Sequence, residues 1–191
     1  MSHAATSVSS YRKGYAEPVE SGALQFVRLL PGPIERVWAW LADSDKRALW
    51  LAAGDLPAQP GAGFELRFDN SGVAPGSDPV PEKFRAYEGA IATQHTLLRC
   101  EPPRLLAISW GGKHEELSEV TFELAPQGDL VRLVLTHRRL VRADTRLSVS
   151  AGWHTHLAVL ADKLEGRTPT PFWTMYSVLE QDYAARLGQA A

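Results

Sequence analysis

The side chains best suited to moving a proton or holding a metal near neutral pH are the six histidines and the single cysteine. His154 and His156 form an H-x-H pair. On a helix, positions two apart point about 200° away from each other, so this pair cannot close on one ion. With Trp153 and Leu157 turned inward, His156 falls near the edge of that face and His154 toward solvent or the helix flank. His137 stands differently. It ends the run Leu130 to His137, in which Val131, Leu133, Leu135 and His137 share the drier face of a strand. A neutral imidazole there can donate to a ligand or accept from it. With His95 in mid-strand, and Glu88 and Glu119 on other strands, it offers the makings of general acid/base chemistry, although no spacing fixes their geometry. A histidine satisfied at the sheet rim is the commoner outcome.

Other reactive arrangements are missing. Cys100 has no companion cysteine and precedes Pro102-Pro103, the setting of an inert thiol. Ser109 and Ser118 lie in strands without a triad signature, and Gly61-Ala62-Gly63 opens a strand rather than a helix, so it is a turn and not a phosphate cradle. No catalytic residue, metal site or cofactor is assigned. The six tryptophans carry more information. Trp38, Trp50, Trp110 and Trp153 fall at positions expected to face the interior, where indoles fill a core and also wall a site for an apolar or aromatic ligand. The expected lining of such a site is Trp38, Trp50, Phe64, Phe68, Trp110, Phe122, Trp153, Leu157 and Leu160, with His137 as a polar anchor.

These side chains need elements to hold them. Ala23 to Leu30 is a short apolar run halted by Pro31-Gly32-Pro33 and reads as a strand. Pro33 to Ala42 and Asp45 to Leu51 read as two short helices, the second bringing Leu49 and Trp50 to its buried side. Phe64 to Asp69 alternates cleanly, and Phe84 to Arg99, Arg104 to Trp110, Leu117 to Leu124 and Leu130 to His137 follow, separated by Pro102-Pro103, Gly111-Gly112 and Gln127-Gly128-Asp129. Antiparallel pairing of neighbours then gives a curved meander of about six strands. The proline-rich stretch Asn70 to Glu82 reads as a surface loop, and its length is that of loops that are either functional, here as cover for a pocket mouth, or disordered.

Trp153, Leu157, Leu160 and Leu164 recur at helical spacing, and Gly166 stands where a left-handed C-cap belongs. A long amphipathic helix is thus expected to lie across the sheet. Beyond it, Met175, Val178, Leu179, Tyr183 and Leu187 mark a terminal helix that packs on a neighbour or on a second copy of the chain. The expected organisation is a flexible tail over 1–19, one domain over 20–168 and an extension over 169–191.

Composition narrows the partners. A net charge of −2 and a pI near 6.3 leave no basic footprint for nucleic acid. No apolar run approaches the roughly 20 residues of a membrane-spanning helix. One cysteine, with no basic-then-apolar leader, sets a reducing cytoplasmic location as the expectation.

The strand, the helix entry Ile34-Glu35-Arg36-Val37-Trp38, the meander ending in Leu135-Thr136-His137 and the segment Gly152-Trp153-His154-Thr155-His156-Leu157 together resemble the SRPBCC (START/birch-allergen-like) superfamily. Within it, the chain is similar to the branch named after the activator of heat-shock protein 90 ATPase homologue. The resemblance covers about residues 20 to 168 and implies an α+β helix-grip fold, with a curved antiparallel sheet wrapped around a long C-terminal helix and a cavity between them. The leading expectation is binding of a small hydrophobic or aromatic ligand in that cavity; the alternatives are a cyclase- or hydrolase-like enzyme, for which His137 or His95 would be the acid/base, and the contact with a chaperone ATPase that the family's name implies. The fold alone does not choose among them. A homodimer through a strand edge or the terminal helix is a further expectation.

Overall fold

The chain builds seven antiparallel strands: β1 Glu17–Glu20, β2 Ala23–Pro31, β3 Gly63–Phe68, β4 Ile91–Glu101, β5 Leu105–Trp110, β6 Ser118–Gln127 and β7 Leu130–Arg138. They form one sheet in the order β1-β2-β7-β6-β5-β4-β3. The structure, a computed structural model, describes residues 13–76, 78–87, 89–111 and 117–189. Glu88, Gly112, the side chain of Leu187 and most of the Met1 to Tyr15 tail lie outside the described residues.

Strand β1 adds one to the expected six. All four of its residues are exposed, so no apolar alternation announces it, and backbone pairing with β2 alone defines it. From β3 to β7 each strand pairs with its sequence neighbour, and β2 then closes against β7, setting Leu24 opposite His137. Phe84 does not open a strand as expected. It sits in a 3₁₀ turn, Glu82–Tyr87, and β4 starts only at Ile91. Its ring stacks on Trp173 at 5.2 Å and meets Tyr176 edge-on at 5.2 Å, contacts from far along the chain that outweigh local β propensity.

After β2 come the short helices α1, Ile34–Ala42, and α2, Ser44–Ala48. Asp43 caps α2 by accepting from the backbone N–H of Asp45 and Lys46 at 3.0 and 3.1 Å. Because α2 ends at Ala48, Leu49 turns outward at 46% exposure, whereas Trp50 is fully buried and donates its indole N–H to the Trp40 carbonyl at 2.8 Å. Leu49 is therefore not on the buried side.

The long helix α3 spans Ala143–Leu164. It ends in a Schellman motif: Gly166, at φ 70°, donates to the Lys163 carbonyl, and Arg167 N–H reaches the Asp162 carbonyl at 2.8 Å. From Trp153 to Leu160 every residue of α3 is buried. Such a helix is covered on all sides. The cover opposite the sheet is α4, Phe172–Gln189, which contributes Phe172, Trp173, Met175, Tyr176, Leu179 and Tyr183 to the same core cluster as the sheet. The apolar side of α4 is thus used within the chain. No helix among the described residues is long and apolar enough to cross a membrane.

Candidate functional site

Strands β3 to β5, helix α3 and helix α4 do not meet completely. They leave a cavity of about 350 Å³ walled by Phe68 of β3, Ile91 and Thr93 of β4, Trp110 of β5, Gly152, Trp153 and His156 of α3, and Phe172, Trp173 and Tyr176 of α4. Phe84 and Asn70 close the remaining side. A second space of about 310 Å³ shares Phe68, Thr93 and Trp110 with the first and reaches His95, Ser118 and His137. The roof is pinned by side-chain bonds. Trp173 donates to Ser71 Oγ at 3.1 Å, Asp78 accepts from the backbone and hydroxyl of Thr174 at 2.8 Å each, and Lys83 pairs with Glu180.

The ten residues expected to line the site divide into three groups. Phe68, Trp110, Trp153 and His137 border the two spaces. Trp50, Phe64 and Phe122 surround a separate void of about 10 Å³ between sheet and α2. Trp38 packs partly buried against the core, while Leu157 and Leu160 are fully buried in it. The strand pattern identifies inward faces but does not show which inward residue meets a space and which meets another side chain. His156, Asn70, Phe84, Phe172, Trp173 and Tyr176 were not anticipated as lining. The density of aromatics in Phe172-Trp173-Thr174-Met175-Tyr176 was the one signal that could have pointed to α4.

Hydrogen-bond partners fix the tautomers. Trp153 Nε1–H, which can only donate, lies 3.0 Å from His137 Nδ1. Nδ1 is therefore the acceptor, and Nε2–H donates to Ser118 Oγ at 2.8 Å, whose own proton goes to the Trp110 carbonyl at 2.8 Å. In His95 the pattern reverses: Nδ1–H donates to the Ser109 carbonyl at 2.8 Å, and Nε2 accepts from Thr93 Oγ1 at 2.6 Å. Both rings are satisfied and hold no proton in reserve. Burial pushes His137 down to about 3 and also lowers His95. Glu119 is on the opposite face of β6 from Ser118 and pairs with Arg139 at 3.5 Å, away from both rings.

The H-x-H pair splits as helix geometry requires. His154, expected toward solvent or the flank, is fully buried: its Nδ1 meets Tyr183 Oη at 2.9 Å and its Nε2 the Lys13 carbonyl at 3.1 Å, because α4 and the segment before β1 cover that side. His156 donates Nδ1–H to the Trp50 carbonyl at 2.7 Å, and burial drives it down to about 4, a fall only partly opposed by that bond. Among the described residues no group of three or more His, Cys, Asp or Glu is placed to hold a metal ion.

A Trp153→Phe exchange isolates one link of this network. It keeps a ring in the wall and leaves buried His137 Nδ1 without its donor, a loss of roughly 2 kcal/mol. For a chain of this length that lowers the melting temperature by about 4–8 °C. A melting curve unchanged from the parent would show that the bond contributes no stability.

Residues 31–165 match the family model described as Activator of Hsp90 ATPase homolog 1-like protein. The chain belongs to that family. Its matched region runs from the end of β2 through α3, so α4 lies beyond it. A solution NMR structure of the protein encoded by gene BPP1335 from Bordetella parapertussis is similar at 53% identity, over 94% of this chain and 93% of that one, with a TM-score of 0.78. CalU16 from Micromonospora echinospora shares the fold at 22% identity over 90% of this chain and 93% of its own, with a TM-score of 0.64. DynU16, described as a putative protein in the dynemicin biosynthetic locus, shares it at 18% identity over 80% of this chain and 50% of its own, with a TM-score of 0.61. No curated protein matches. In this family member the helix-grip architecture is completed by a terminal helix that roofs the cavity.

Proposed function

We propose that the protein binds a small apolar or aromatic molecule in the cavity roofed by α4. The observation that carries this reading is Gly152. Glycine inside a helix costs about 1 kcal/mol relative to alanine, and Gly152 lies near the middle of α3, with a backbone that any residue adopts. A Cβ built there meets no atom within 4 Å, and the position lines the cavity. The missing side chain leaves room where a larger residue would fill the space. Binding would proceed by desolvating the ligand against Phe68, Trp110, Trp153 and Trp173.

Gly152→Leu tests this directly, because it fills the cavity from a position where the helix tolerates leucine. N-phenyl-1-naphthylamine, a neutral probe that fluoresces in apolar surroundings, is expected to bind the parent and raise its melting temperature. In Gly152→Leu the fluorescence gain should fall at least tenfold while the fold is retained or stabilised. Equal binding by both proteins, or none by the parent, would end this reading. An acid/base role for His137 or His95 finds no support in rings whose nitrogens are all engaged. Contact with a chaperone rests on the family's description alone.

A further inference from the structure

Most polar protons in the cavity wall are already in use. The hydroxyls, the amide and the imidazole could offer a guest either a proton or a lone pair and the indoles only a proton, yet most of these protons are committed elsewhere. Trp153 donates to His137, Trp173 to Ser71, and Tyr176 Oη to Glu180 at 3.1 Å. Ser148 donates to the Thr145 carbonyl at 3.2 Å. Thr93 gives its proton to His95, whose Nε2 must be the acceptor because Nδ1 faces a carbonyl.

Two acceptors remain in the lining. His156 uses Nδ1–H on the Trp50 carbonyl, and burial keeps the ring neutral, so Nε2 is an acceptor, with no hydrogen-bond partner among the described residues. Asn70 Oδ1 is buried, unpartnered and part of the same lining. Among the described residues, the donors left over are the Trp110 indole N–H and the Asn70 amide, and no lysine, arginine, aspartate or glutamate lines the cavity. Against these residues an anion would lose its hydration and gain no counter-charge, whereas a neutral donor would satisfy an acceptor left open.

We infer that the cavity selects neutral aromatic molecules bearing a hydroxyl or N–H group, and that His156 Nε2 accepts that hydrogen. This rests on the cavity-binding reading above and adds to it the chemical class of the ligand and the residue that recognises it. Steric fit favours any flat apolar guest; the acceptor discriminates among guests of equal shape.

Three probes of one skeleton separate the two ideas: 2-naphthol, 2-methoxynaphthalene, which keeps the oxygen without its hydrogen, and 2-naphthoate, which carries a charge. Isothermal titration of the parent is expected to show 2-naphthol bound about tenfold more tightly than the ether, equivalent to one good hydrogen bond, and 2-naphthoate more weakly than either. His156→Asn keeps an amide N–H for the Trp50 carbonyl and puts nothing in place of Nε2. In that variant 2-naphthol should fall to the affinity of the ether, whose own affinity stays constant. Equal affinities of 2-naphthol and ether in the parent, or a preference that survives in His156→Asn, would overturn the inference and leave the cavity reading standing. Failure of all three probes to bind the parent would remove both. A measurement on the parent needs no variant: the ¹⁵N resonance of His156 Nε2 should move on saturation with 2-naphthol and stay in place with the ether, and the same response to both would count against the inference.

Discussion

A chain lacking residues 170–191 is expected to lose its cooperative thermal transition. Helix α4 buries Phe172, Trp173, Met175, Tyr176, Leu179 and Tyr183, all within the core cluster that includes the sheet and α3. At about 1.5–3 kcal/mol per large side chain, the gross burial is on the order of 10 kcal/mol. That is comparable with the entire stability of an ordinary domain, although part is offset by the entropy of ordering the helix. The truncation also strips cover from buried His154 and His156, removing the Tyr183 hydroxyl from one and the Phe172 ring, at 4.8 Å, from the other. Loss of near-ultraviolet circular dichroism and strong binding of a hydrophobic dye are the expected signs. A sharp transition within a few degrees of the parent would show that the extension is an accessory to the domain.

Acid should destabilise the protein well above the pH at which its carboxylates titrate. His137 and His156 have folded pKa values of about 3 and about 4, against about 6.5 in an unfolded chain. Between those limits the unfolded state binds the extra protons, so stability rises with pH through this window and is lost as pH falls from 6.5 toward 4. At 1.36 kcal/mol per unit, each ring costs about 2 kcal/mol by pH 5, roughly 4 kcal/mol for the pair. His95, also lowered by burial, acts in the same direction. Urea midpoints at pH 7.5 and pH 5 measure the effect, and His137→Gln should remove about half of it. Equal midpoints at the two pH values would mean that these rings are charged in the folded protein.

Much of the architecture was legible in the chain because its signals are local. Alternation in Phe64 to Phe68 and in Leu130 to His137 marks half-buried strands, and Gly166 marks the end of α3 through a backbone angle that glycine adopts freely. The failures differ in cause. Strand β1 has no apolar side to announce it and is defined by backbone pairing with its neighbour β2, and Leu49 turns outward because α2 ends at Ala48. Phe84 leaves the sheet to stack on a tryptophan 89 positions away in sequence, where a distant partner outweighs a local preference.

The site was less legible than the fold. Inward-facing Trp110, Trp153 and Phe68 could be chosen by periodicity, but Leu157 and Leu160 share the same pattern and are buried in the core, and Trp50 and Phe122 border only a void of about 10 Å³. Periodicity reports which way a side chain points, and cavities depend on what comes to meet it.

The sequence by itself determined the order of β2 to β7 with the helices between them and the reason that His154 and His156 cannot share an ion, since both follow from spacing along the chain, while the family was legible as a resemblance of short motifs. Only the tertiary structure decided that α4 roofs the cavity, that His137 and His95 are satisfied and that His156 lines the space with its Nδ1–H bound to the Trp50 carbonyl. Which nitrogen of an imidazole carries the proton is set by the atom facing it, and those atoms, the Trp153 indole and the Ser109 and Trp50 carbonyls, lie between 14 and 106 residues from the rings they orient.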